Sequence, residues 1–264
     1  MGIKITALRF ACGLILLCSL QPLRAQDPEA AANAKKARAT LDAMVTALGG
    51  QNWLTAVSSM EEGRTSGFYQ GKPTGMTAEF YEIQKFPDQS RVELGKKHDV
   101  VELILPDQAW EVTYKGKKEL PKDQTQDVLR RRDHSIRTAI TVWLKDPKTV
   151  LIYDGQNVVA RKLADQVTLI NSENDSITIQ TDTETRLPLR RSFQWRDPVF
   201  KDKNTDAEEY DNYRTVDGVA TAFTITRSHN DDMTNQRFLS RAGYNVPVTA
   251  DMFDPDQTAG KIKK

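Results

Sequence analysis

The stretch YDNYRTVDGVATAFTITR, Tyr210 to Arg227, decides the fold class. Two runs rich in Val, Thr, Tyr, Phe and Ile flank Asp217-Gly218, and a two-residue turn of that kind needs φ > 0, which Asp and Gly accept. The segment is a β-hairpin, so neighbouring strands are antiparallel and joined by tight turns.

Working outward, the same punctuation recurs. Leu189 to Trp195 alternates apolar and polar residues on one side of the hairpin, and Phe238 to Val246 supplies a strand on the other. Val167 to Ile170 pairs with Ser176 to Gln180, and Val150 to Asp154 is read as ending in a turn at Gly155. Further upstream, Met76 to Ile83, Asp99 to Leu105 and Ala109 to Tyr114 are extended runs separated by Gly71-Lys72-Pro73 and Pro106-Asp107. These runs predict roughly ten strands in an antiparallel meander.

Two helical segments interrupt that texture. Ala34, Ala37, Leu41, Met44, Val45 and Leu48 recur at helical spacing before Gly49-Gly50, and Trp53, Leu54 and Val57 suit a short second helix. Leu129, Ile136, Ile140 and Trp143 share one face of a helix expected over about 123–144, which Pro147 ends. Arg130, Arg131, Asp133 and Arg137 fall on the opposite face, read as hydrated, and His134 is placed with them as a solvent-exposed residue.

The first residues read as a secretory signal peptide. Lys4 and Arg9 precede an apolar run from Phe10 to Leu20, and Ala25 is a small residue placed for cleavage. The run is shorter than the ~20 residues a membrane span needs. Cys18 follows Leu17 and Cys12 lies close to Arg9, so neither suits lipidation, and both leave with the peptide. Removing Lys4, Arg9 and Arg24 turns a formal net charge of +1 slightly negative, which does not suit a nucleic-acid binder. The expected divisions are a signal peptide over 1–25, N-terminal helices over 26–58, a main domain over 59–256 and a tail over 257–264.

Chemistry is hard to place in this sequence. His98, His134 and His229 are far apart and lack metal-ligand spacing, and the Asp251 to Asp256 stretch lacks the ligand pattern of a calcium loop. A Gly-x-Ser-x-Gly elbow and a glycine-rich phosphate loop are both missing. The expectation is therefore a protein without catalytic residues, metal or cofactor. Phe80, Trp110, Val112, Leu129, Ile136, Ile140, Trp143, Phe193, Trp195 and Phe223 are the candidate lining of an apolar cavity, formed where a curved sheet is incompletely covered by the helix.

Three motifs carry a family likeness: Lys85-Phe86-Pro87-Asp88-Gln89-Ser90-Arg91 leading into a strand, Asp107-Gln108-Ala109-Trp110 at a turn, and the Tyr210 to Arg227 hairpin followed by Asn245-Val246 and Phe253-Asp254-Pro255. In that order, over about 60–255, the chain resembles the periplasmic lipoprotein-carrier superfamily, the LolA-like outer-membrane lipoprotein-sorting proteins. The resemblance implies an α+β, mainly antiparallel half-barrel covered by helices, whose interior holds a lipid or lipoprotein acyl chain. It also implies a cavity arginine, for which Arg64 and Arg91 are candidates. Periplasmic carriage of a lipid is the expected function. The alternative is an envelope sensor or adaptor that uses the same fold to bind an envelope protein.

Overall fold

The structure, a computed structural model, describes residues 28–262. The signal-peptide expectation, with cleavage after Ala25 and the reading of Cys12 and Cys18, lies outside the described residues.

Thirteen strands follow one another in the described chain: β1 (Ser58–Tyr69), β2 (Lys72–Lys85), β3 (Gln89–Leu94), β4 (Val100–Ile104), β5 (Ala109–Thr113), β6 (Gly116–Glu119), β7 (Val150–Val159), β8 (Lys162–Ile170), β9 (Ser176–Asp182), β10 (Pro188–Arg196), β11 (Lys203–Val216), β12 (Val219–His229) and β13 (Asp232–Tyr244). They form one antiparallel sheet in the order β6-β5-β4-β3-β2-β1-β13-β12-β11-β10-β9-β8-β7. The sheet is open, with β6 and β7 as its edges, and is the α+β half-barrel expected from the sequence.

Two-residue turns with both φ values positive make four of the hairpins: Gln70-Gly71, Ala160-Arg161, Asp217-Gly218 and Asn230-Asp231. The Ala160-Arg161 turn overturns the reading of Gly155 as a turn. Gly155 instead sits inside β7 at a register shift with φ of 99°, a bulge that bends the strand. Gly63 marks a second irregularity, between β1 and β13. A Cβ there would lie 2.1 Å from the Phe238 carbonyl oxygen, so the two backbones approach as closely as they do only because the residue is glycine.

Helix α1 (Pro28–Leu48) buries Ala37, Leu41, Met44 and Leu48 along one stripe, and α2 (Gln51–Leu54) adds Trp53. The stripe packs on Val167, Leu169, Ile177 and Ile179 of β8 and β9. Helix α1 also covers the exposed edge of the sheet. Asn33 accepts from the Tyr153 backbone N–H at 2.8 Å and donates to its carbonyl at 2.9 Å, occupying hydrogen-bonding groups of edge strand β7.

The segment between β6 and β7 joins the two edges, so it must cross the whole sheet. The single helix expected over 123–144 is in fact broken into α3 (Lys122–Asp133), α4 (Ile136–Thr141) and a 3-10 turn at Trp143–Lys145. Ser135 makes the break: its Oγ accepts from the Thr138 backbone N–H at 3.1 Å and starts a new helix. Residues beyond 256, expected as a tail, continue helix α5 (Pro255–Lys261), whose N-terminus Asp254 caps by accepting from the Asp256 and Gln257 N–H groups. Ala259 and Ile262 pack on Val101, Leu103 and Val112, one face of β4 and β5.

Candidate functional site

Alternation along the strands puts two opposed environments on β4. Val101 and Leu103 face α5, whereas Glu102 faces a cavity of about 390 Å³ between the sheet and the α3–α4 crossing. The same phase on other strands carries Glu61 on β1, Glu82 on β2, Arg191 on β10, Glu208 and Tyr210 on β11, Arg227 on β12 and Arg237 on β13. Charged residues of both signs stand among the apolar and neutral polar residues of this cavity wall. A second space of about 290 Å³ adjoins it and shares Arg131, Arg191, Glu208 and Arg227.

Two ion clusters organise the wall. Glu208 accepts from Arg191 Nε at 3.1 Å, Arg227 Nε at 2.7 Å and the Tyr210 hydroxyl at 2.9 Å. Burial alone would raise its carboxyl, but Arg191 and then Arg227 overcome that and hold it well below the ordinary carboxylate range. Arg191 also donates to the His134 carbonyl at 2.9 Å, tying the cluster to the break between α3 and α4. In the second cluster Glu82 accepts from Arg237 at 2.5 Å and from Gln84 at 2.8 Å. Glu61 stands directly opposite Glu82 across β1 and β2, and burial followed by the Glu82 charge pushes its carboxyl up to about 7. Burial also raises the carboxyl of Glu102.

The basic residues of the crossing point inward or down onto the sheet, which corrects the reading of that face as hydrated. Arg130 stacks on the Trp195 ring at 3.7 Å, and Arg131 pairs with Asp127 while lining both spaces. Arg132 donates to the Leu105 and Pro106 carbonyls, each at 3.0 Å. Arg137 lies between the Trp53 and Phe86 rings, 4.5 and 3.9 Å from their centroids, and donates to the Trp53 carbonyl at 2.8 Å. Burial pushes its guanidinium down to about 10.

His134 is buried rather than exposed. Its ring stacks on Phe193 at 4.3 Å and meets the Trp143 edge at 5.4 Å. Nδ1 lies 2.8 Å from the Arg130 carbonyl, which can only accept, so Nδ1 carries the proton and Nε2 is left without a partner. Burial lowers its pKa from the ordinary 6.5. The unfolded chain therefore binds a proton that the folded chain resists, and stability present above pH 6.5 is lost as the pH falls below it. Urea midpoints of wild type and His134→Phe should therefore diverge between pH 7 and 5.5, the wild type losing more. The opposing proton uptake by Glu61 is common to both proteins and cancels; parallel pH profiles would refute the assignment.

The residues expected to line an apolar cavity are scattered. Ile136 lines the main cavity and Phe193 the adjoining space. Ile140 and Trp143 belong to the core shared with α1. Phe80 and Phe223 form a separate apolar cluster with Leu239, under the Arg237 and Arg214 guanidiniums at 4.8 and 4.3 Å. Val112 and Trp110 lie with the apolar group under α5, Trp195 is taken up by Arg130 and Asp206, and Leu129 is half-buried on α3. Neither candidate arginine reaches the cavity: Arg64 is exposed, and Arg91 bonds to Thr258 and the Met252 carbonyl beside α5. The cavity arginines are instead Arg131, Arg132 and Arg137 of the crossing and Arg191, Arg227 and Arg237 of the sheet.

Among the described residues no group of three or more His, Cys, Asp or Glu could hold a metal ion, and no helix is long and apolar enough to cross a membrane.

No protein-family model and no curated protein matches the chain. Solved structures do. A DUF1329 family protein from Desulfovibrio piger superposes with a TM-score of 0.58 at 15% identity, over 83% of this chain and 98% of that one. An outer membrane lipoprotein-sorting protein domain from Vibrio parahaemolyticus gives 0.56 at 11% identity, over 85% and 98%. A LolA superfamily protein from Nitrosomonas europaea gives 0.53 at 11% identity, over 83% and 98%. At such identities the likeness is one of backbone architecture, and the architecture is the LolA-like fold.

Proposed function

We propose that the protein is a non-enzymatic carrier or binding protein of the cell envelope, holding a lipid-type amphiphile between the sheet and the α3–α4 crossing. The observation that carries this reading is the cavity itself. It is roofed by a segment that spans an open sheet and walled by buried charges, with an apolar cluster of Phe80, Phe223 and Leu239 on the same sheet face. A site lined this way suits a molecule with a polar head and an apolar body. The acyl-chain ligand expected from the sequence is thereby modified: the head group has as much to bind as the chain. The buried Glu82 and Glu208 carboxylates are each bonded to arginine, which suits a fixed binding wall better than proton transfer. In this reading residues 1–25 direct export and are removed, and the helices over 26–58 serve the half-barrel over 59–256.

Mass spectrometry of solvent extracts from natively purified protein should recover an amphiphile in about stoichiometric amount. The reading fails if the extract is empty and no amphiphile displaces an anilinonaphthalene probe from the protein. An envelope protein recovered by crosslinking, with an empty extract, would establish the adaptor alternative in its place.

A further inference from the structure

The two ion clusters leave a definite remainder. Glu208 is used by Arg191, Arg227 and Tyr210, and Glu82 by Arg237 and Gln84. Glu61 and Glu102 line the same cavity and accept no hydrogen bond from any described residue. On the opposite side, Arg227 uses only Nε and Arg131 only one terminal nitrogen, so both guanidiniums keep donors directed at the cavity. Unused acceptors therefore face unused donors.

The four groups sense one another without touching. Arg237, already paired with Glu82, is the larger positive neighbour of both Glu61 and Glu102. The Arg227 charge also reaches Glu61 and the Arg131 charge Glu102, yet neither glutamate forms an ion pair with any of them. Glu61 on β1 and Arg227 on β12 are separated by β13, so their backbones are at least about 10 Å apart, two strand spacings. Two guanidiniums and two unpaired carboxyl groups, whose ionisation burial opposes and a ligand ammonium would favour, thus border a gap wider than a direct salt bridge. A ligand bearing only an oxyanion would meet the two carboxylates, and one bearing only an ammonium would meet the two guanidiniums. Each would leave a polar side of the cavity unsatisfied, which is costly away from water.

We infer that the cavity is built for a zwitterionic head group, with its oxyanion at Arg131 and Arg227 and its ammonium at Glu61 and Glu102, joined by a short spacer. Guanidinium forks suit the oxyanion and carboxylates suit the ammonium, through charge-assisted bonds on both sides. This inference rests on the carrier reading and adds the chemistry of the head. The head could arrive on a lipid or as a small free zwitterion, and both share that chemistry.

The test is displacement of an anilinonaphthalene probe from the full mature protein by lysophosphatidylethanolamine, lysophosphatidylglycerol and free phosphoethanolamine. Lysophosphatidylethanolamine should compete at about ten-fold lower concentration than lysophosphatidylglycerol, the difference being the ammonium. The double variant Glu61→Gln/Glu102→Gln should remove that preference, whereas Arg131→Gln should weaken both lipids alike. Neither glutamate is hydrogen-bonded by a described residue, so the double variant should melt near the wild type. If it does not fold, the wild-type comparison still decides. Competition by phosphoethanolamine at concentrations similar to the lipid would assign the site to a small zwitterion, and a much higher requirement would assign it to a lipid head. Equal affinity for the two lipids, or a preference that survives the double variant, overturns the inference while leaving the carrier reading intact. If no compound displaces the probe, both fall.

Discussion

Replacing Glu208 by leucine is expected to destabilise the protein by roughly 3–5 kcal/mol, as breaking a buried ion pair from one side does. Glu208 is only 9% exposed and is the one carboxylate bonded to both Arg191 and Arg227. Its removal leaves the Arg227 guanidinium and the Tyr210 hydroxyl proton without their acceptor, and leaves Arg191 with no counter-charge, only the neutral Tyr210 oxygen and the His134 carbonyl. Against a total stability of about 5–15 kcal/mol for a domain, that loss should shift the urea midpoint substantially. Adding Arg191→Met to Glu208→Leu should recover part of it, because an apolar pair avoids the uncompensated charge. The pH dependence carries its own sign. The Glu208 carboxyl is held below its ordinary 4.5, so its contribution is present above pH 4.5 and declines as the pH falls below that value. Wild type should therefore lose its advantage over Glu208→Leu in acid. A variant within about 1 kcal/mol of wild type at pH 7 would show that the cluster is decorative, as many exposed ion pairs are.

The contrast between what could and could not be read from the sequence has a physical pattern. Asp217-Gly218 announced its hairpin because the turn chemistry is local. Ala160-Arg161 makes the same kind of turn with φ values of 48° and 67° and neither glycine nor asparagine, so nothing local marks it. The break at Ser135 was legible in principle: Ser135-x-x-Thr138 is a cap inside an otherwise helical run. The cavity was harder. Its strand arginines and glutamates stand one each on β1, β2, β4, β10, β11, β12 and β13, and only the sheet gathers them. Yet each breaks an alternating phase, Arg191 between Leu189 and Phe193, Glu82 after Phe80, Arg227 after Phe223 and Ile225. A charge at the apolar phase of a strand is the signal for a charged interior. Reading the apolar phase as the lining, and the basic face of the crossing with Arg131 as hydrated, passed over that signal.

That reversal changes what the crossing segment is for. Its apolar residues hold it in place, and its basic residues furnish the roof. Ile136 is the exception that touches both, half-buried against the core and lining the cavity. The carrier reading accordingly depends on a roof whose position is fixed by packing at α4, not on an apolar surface offered to a ligand.

Ile140→Asp tests that division of labour. Ile140 is 7% exposed and shares a core with Leu41 and Met44 of α1 and with Leu169 and Ile179 of the sheet. Truncation to alanine alone should cost about 2–5 kcal/mol through lost burial and the void left behind. A carboxylate adds an unpaired charge in an apolar site, so Ile140→Asp should approach the whole stability of the domain at pH 7. Burial raises the pKa of the new carboxyl, so stability should partly return as the pH falls toward 5, the opposite of the Glu208 effect. Probe binding by Ile140→Asp should decline only in proportion to the unfolded fraction measured by circular dichroism under the same conditions. Ile136→Asn should do the reverse, altering probe affinity while remaining folded at 25 °C. If Ile140→Asp stays folded and loses the probe, α4 presents Ile140 to the ligand. The cavity then extends into the core beneath α4, and the lining drawn from the sequence regains its place.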